Sequence, residues 1–192
     1  MIPDLTPHRV LSVAAGISHS VALVEGGGVF TWGRGKNGPL GHGSVRDVRV
    51  PTRVGGFLGE LHVTSVGAGD AVSMAVVGST GALYTWGLGF FKQLGLGEER
   101  GTGTWLMPTL VPGISAAVAA TGGGQHTLVL LDDGHIMSCG SNNWYERGEG
   151  RERERDSDST ERSDTCELRG VVVGCSCIQS PYLFGSLPPL IC

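Results

Sequence analysis

Charged side chains are scarce. Asp, Glu, Lys and Arg make up 17% of the 192 residues, and the net charge is −4. That balance argues against a broad nucleic-acid-binding surface. Aromatics are scarcer still, at 6%. Cysteine occurs five times, as Cys139, Cys166, Cys175, Cys177 and Cys192. A disulfide framework is usually even in number and spread across a fold, and this set is neither. The opening residues Met1-Ile2-Pro3-Asp4-Leu5 lack the basic and apolar regions of a secretory signal. Both features point to a reducing compartment, cytoplasm or nucleus. No stretch of ten or more residues keeps a 3.6-residue apolar period without Gly or Pro inside it, so long amphipathic helices are not expected. Gly-x-Ser-x-Gly, His-Glu-x-x-His, the P-loop and the kinase set are all missing. No catalytic, cofactor-binding or metal-binding residue is therefore assigned, and no cofactor is expected.

Glycine, in contrast, is abundant, with 33 residues. It is not in a Gly-X-Y register, which excludes collagen. Apolar residues reach 40%, enough for a buried core. Charge divides the chain. Residues 144–170 hold 6 Arg and 9 acids, and the run from Arg151 to Asp164 contains no apolar side chain. Such a run cannot offset the entropy of ordering, so 151–169 is expected to be disordered. Residues 170–192 carry no charge.

The first 150 residues repeat. Val29-Phe30-Thr31-Trp32-Gly33 matches Leu83-Tyr84-Thr85-Trp86-Gly87 and Ile136-Met137-Ser138-Cys139-Gly140, at spacings of 54 and 53. Upstream of these lie Ala15-Gly16-Ile17-Ser18-His19-Ser20, Ala68-Gly69-Asp70-Ala71-Val72-Ser73 and Gly122-Gly123-Gly124-Gln125-His126-Thr127. Downstream lie Leu40-Gly41-His42-Gly43, Leu94-Gly95-Leu96-Gly97 and Arg147-Gly148-Glu149-Gly150. Pro51-Thr52-Arg53-Val54 and Pro108-Thr109-Leu110-Val111 are read as links between units. Short apolar runs bounded by Gly-rich turns predict about four strands per unit, with units near 9–54, 62–111 and 116–150. An all-β unit of this size fits one blade of a β-propeller.

The three blocks, in this order and at this period, resemble the regulator of chromosome condensation repeat. Trp-Asp propellers fit less well, since their units are shorter and no Trp-Asp pair occurs here. The resemblance covers roughly residues 9–150 and implies about three blades of a seven-bladed ring. It implies a protein partner, with a Ran-like small GTPase as one candidate. A non-catalytic interaction module is the leading expectation, with a guanine-nucleotide exchange factor as the alternative. From charge and composition, no membrane partner and no direct nucleic-acid contact are expected. The founding member's basic tail has no counterpart before the first repeat. Ultraviolet-sensing members carry Trp-Arg before the block histidine, where this chain has Ile17-Ser18, Asp70-Ala71 and Gly124-Gln125. The expected architecture is therefore an all-β partial propeller of about three blades with a disordered C-terminal tail. The chain is expected to be a fragment, a truncated product or one part of a multi-chain ring completed by further blades. Read-through of non-coding sequence is one origin for 170–192.

Gly33-x-Gly35-x-x-Gly38 matches a dinucleotide fingerprint as a string, but Pro39 and Gly41 follow where a helix is required. His19 and His126 share one repeat position with Val72, and a structural hydrogen bond between strands or blades is expected there. Trp32 and Trp86 are expected to pack between blades, with Cys139 as a small buried hydrophobe in the third copy. Cys175-Ser-Cys177 lacks a second pair or a nearby His for zinc. Pro181, Pro188 and Pro189 argue against a tail anchor.

Overall fold

A computed structural model describes residue 2, residues 5–97 and residues 102–143. The expectations for 151–169 and 170–192 lie outside the described residues, as does the Cys175–Cys177 pair.

The strands are β1 (Val10–Ala15), β2 (His19–Val24), β3 (Val29–Gly33), β4 (Val48–Arg53), β5 (Val63–Ala68), β6 (Val72–Val77), β7 (Ala82–Leu88), β8 (Thr104–Leu110), β9 (Ala117–Gly122), β10 (His126–Leu131) and β11 (Ile136–Gly140). They form three antiparallel sheets, each a meander in chain order: β1-β2-β3-β4, β5-β6-β7-β8 and β9-β10-β11. One 3-10 turn, Gly56–Glu60, follows the first sheet. None of the described helices is long and apolar enough to cross a membrane.

The apolar run of the second unit becomes a central strand covered on both faces. Every residue of β6 is buried. Its Ala75 and Val77 join the core shared with the first sheet. Its Val72, Met74 and Val76 join the core shared with the third. The sheets thus stack face to face as successive blades of a propeller, with β1, β5 and β9 along one edge. Backbone bonds tie the turns at that edge together: Ile17 N–H donates to Asp70 O at 3.2 Å, and Asp70 N–H to Gly123 O at 3.1 Å. Even irregularities repeat. The β1–β2 register shifts between Val10 and Ser12, and the β5–β6 register between Val63 and Ser65.

One sequence expectation changes. Pro51-Thr52-Arg53 and Pro108-Thr109-Leu110 lie within β4 and β8 rather than linking units. Each of these strands pairs on one side only. A proline is tolerated there because its missing N–H interrupts no ladder on the open side.

Gly33 and Gly140 end β3 and β11, and Gly87 stands one residue before the end of β7, with φ of 110°, 107° and 109°. This backbone is open to glycine and strained for other residues. It turns the chain into the loops from which the blade contacts are made.

Candidate functional site

The loop after β3 leaves the first sheet and reaches the second. Thr31 Oγ1 donates to Leu40 O at 2.6 Å and pins the loop to its own strand. Thr85 Oγ1 does the same to Leu94 O at 2.7 Å. Beyond this latch, Pro39 O accepts two bonds from the second sheet, from Ser73 Oγ at 2.7 Å and from Trp86 Nε1 at 2.8 Å. The Trp86 ring is fully buried. It lies against Gly41, where a Cβ would come within 2.8 Å of Nε1.

His19 completes the junction. Its Nε2 lies 2.9 Å from Ser73 Oγ. Ser73 spends its single proton on Pro39, so His19 must donate from Nε2, which leaves Nδ1 as the acceptor. Nδ1 is buried and has no partner among the described residues. Burial pushes the His19 imidazole down to about 4, against a smaller opposing effect of the Val72 backbone. The ring is therefore neutral at physiological pH. His42 Nε2, 3.0 Å from Thr31 Oγ1, is also shifted down, chiefly by burial.

The second junction keeps the positions and changes the residues. In the places of His19, Ser73, Pro39 and Trp86 stand Val72, Thr127, Gln93 and Cys139. Cys139 Sγ donates to Gln93 O at 3.4 Å, a long thiol contact in place of the indole bond. Val72 offers no donor, and Thr127 Oγ1 is left buried without a partner. The Gln93 side chain accepts from Phe91 N–H at 2.9 Å through Oε1, while its buried Nε2 has no partner.

His19 and Trp86 thus meet at one junction. Trp32 differs from the expectation: it is half-buried on the outer face of the first sheet, packed on the cluster of Leu5, Ala22, Val24 and Phe30 rather than between two described blades. Cys139 is half-buried and hydrogen-bonded rather than a buried hydrophobe. The Gly33–Gly38 string lies in the turn after β3, with no helix behind it. The sequence reading missed Ser73 and the Pro39 carbonyl. The signal for the first was present, since a hydroxyl follows the histidine position in all three copies, as Ser20, Ser73 and Thr127. Among the described residues, no cluster of His, Cys, Asp and Glu could hold a metal.

The loop tips project beyond this buried frame. Lys36 and Asn37 in the first correspond to Phe90 and Phe91 in the second. Phe90 is 58% exposed and Phe91 43%.

Comparison with known proteins agrees with this layout. The regulator of chromosome condensation (RCC1) repeat model matches residues 26–76 and 80–130, and a second model of the same repeat matches 10–38 and 116–145. The ultraviolet-B receptor UVR8 of Arabidopsis thaliana is 38% identical over 136 residues, which is 71% of this chain and 30% of that protein. Human WBSCR16 superposes with a TM-score of 0.63 at 29% identity, covering 69% of this chain and 33% of that one. Prp20p of Saccharomyces cerevisiae gives 0.59 at 27% identity, covering 74% and 33%. The chain therefore spans about a third of each of these relatives. With a repeat model matched over more than half its length, and three stacked four- or three-stranded blades behind that match, the chain belongs to the regulator of chromosome condensation (RCC1) repeat family.

Proposed function

We propose that the chain is a non-catalytic protein-interaction module that presents the loops after β3 and β7 to a protein partner. The observation behind this reading is the contrast between frame and tip. The Thr–carbonyl latch is the same in both loops, at 2.6 and 2.7 Å. The tips differ, Lys36-Asn37 against Phe90-Phe91. A rigid frame with divergent tips suits recognition, and paired exposed aromatics are what buried interface anchors look like before binding. The proposed compartment is cytoplasm or nucleus. Light sensing is not carried over from the ultraviolet-B receptor, because Ile17, Asp70 and Gly124 stand at its tryptophan position.

A photo-crosslinking residue in place of Phe91 should trap the partner. The purified partner should then bind a Phe90→Ser, Phe91→Ser chain about tenfold or more weakly, the loss expected for an aromatic anchor. Equal affinity for the two chains would sink the reading.

A second reading is guanine-nucleotide exchange on a Ran-like small GTPase. It is favoured by the similarity to Prp20p, for which binding to Gsp1p and histones is described. Exchange needs a surface that favours the nucleotide-free state, assembled from several blades and held rigid. Little acceleration of fluorescent-nucleotide release by this chain is expected. Strong acceleration would make exchange the leading function.

A further inference from the structure

The outer faces of the first and third described sheets each have a counterpart inside the molecule. Val66, Ala68, Ala75, Val77, Tyr84 and Trp86 form the face of the second sheet that meets the first. A shift of one repeat carries them onto Val13, Ala15, Ala22, Val24, Phe30 and Trp32, on the outer face of the first sheet. Val66 is 9% exposed and Val13 70%. Leu5 packs on Ala22, Val24 and Phe30. A groove of about 760 Å³ remains beside it, lined by Val13, Ala15, Ser20 and Trp32 among others. Ser20 and Trp32 correspond to Ser73 and Trp86, yet neither side chain has a hydrogen-bond partner among the described residues.

The opposite end carries the other half of the same junction. His19, Val21, Leu23 and Val29 form the face of the first sheet that meets the second. Two repeats on, the third sheet presents His126, Leu128, Leu130 and Ile136. Leu130 is 40% exposed and the other three are half-buried.

One end thus displays the serine–tryptophan half of a junction and the other the histidine–aliphatic half. Their assembled form is already present between the first two sheets. We propose that the third sheet of one copy docks on the first sheet of a second copy, head to tail, with His126 bonding to the second copy's Ser20 as His19 bonds to Ser73. The occupant is a second copy because this chain carries both complementary halves. Such a contact is heterologous: each copy uses a different surface. The inference concerns the ends of the arc and does not depend on any partner at the loop tips.

Sedimentation velocity on the full 192-residue chain tests this. The wild-type chain should associate as concentration rises through the micromolar range. Val13→Glu blocks one end and Leu130→Glu the other, and both positions are exposed in the single chain, so each variant should fold and sediment as a monomer. Urea unfolding of each variant checks that it folds. Mixed in equal amounts, the two should form a two-chain species through the ends left intact, while a Val13→Glu, Leu130→Glu double variant should join neither. A wild-type chain that stays monomeric at every concentration, a mixture that stays as two monomers, or association untouched by either substitution would overturn the proposal.

Discussion

Trp86 and Pro39 belong to different blades, and the indole of one donates to the carbonyl of the other at 2.8 Å. Trp32 holds the same repeat position without such an acceptor. The two tryptophans should therefore respond differently to one substitution. Trp86→Phe should cost roughly 1–3 kcal/mol, from the lost bond and the imperfect fit of a smaller ring. Trp32→Phe should stay within about 0.5 kcal/mol, as changes away from buried bonds do. Urea unfolding of the two variants checks this. Equal losses would show that Trp86 acts through bulk alone.

Ser73 and Thr127 form a second matched pair. Ser73 bonds to both His19 and Pro39, while the Thr127 hydroxyl is buried with no partner. Removing a satisfied hydroxyl strands its neighbours, whereas removing an unsatisfied one relieves a desolvation cost. Ser73→Ala is expected to destabilise by about 1–3 kcal/mol, and Thr127→Val to stabilise by up to about 1 kcal/mol. A Thr127→Val chain less stable than wild type would mean that the hydroxyl is bonded in solution.

Acid should weaken the first junction through His19. Its folded value is about 4, below the ordinary 6.5. Below pH 6.5 the unfolded chain takes up a proton that the folded chain refuses. The stability tied to neutral His19 is thus complete above about 6.5 and is lost as pH falls towards 4, by about 1.4 kcal/mol per unit and ~3 kcal/mol in all. The downward shift of His42 adds to the trend in the same direction. His19→Gln keeps a donor for Ser73 and cannot titrate, so its stability should fall less steeply between pH 7 and 4.5. Parallel curves for the two chains would exclude His19 as the source.

Glycine substitutions separate conformation from contact. Gly41 and Gly97 have similar φ, +73° and +79°. A Cβ on Gly97 meets nothing within 4 Å among the described residues, while one on Gly41 meets the Trp86 ring. Gly97→Ala should cost about 1 kcal/mol from the left-handed backbone alone. Gly41→Ala should exceed that by about 1–3 kcal/mol through displacement of a close-packed ring. Thermal unfolding with near-ultraviolet dichroism reports both the stability and the Trp86 environment.

Much of the architecture was legible because repetition is a property of sequence. Spacings of 53 and 54 residues, strand-length apolar runs and Gly-rich turns locate the units without any contact being known. The turn glycines announce themselves as well, since Gly33, Gly87 and Gly140 recur at one position and share one φ. Pro51 and Pro108 misled for a local reason: proline reads as a breaker, and only pairing on a single side makes it acceptable within a strand.

What the sequence determined by itself was the repeat, its strands and the side chains available at each position, because periodicity and turn chemistry act over a few residues. What the tertiary structure decided was which copies of those side chains have partners. Trp32 and Trp86 read alike as sequence, and His19 and His126 do too, yet Trp86 and His19 close a junction while Trp32 and His126 face outward. The side-chain hydrogen bonds between blades join residues 34 to 54 positions apart in the chain. Their existence depends on a neighbouring sheet being stacked at the right distance, and no local pattern encodes that.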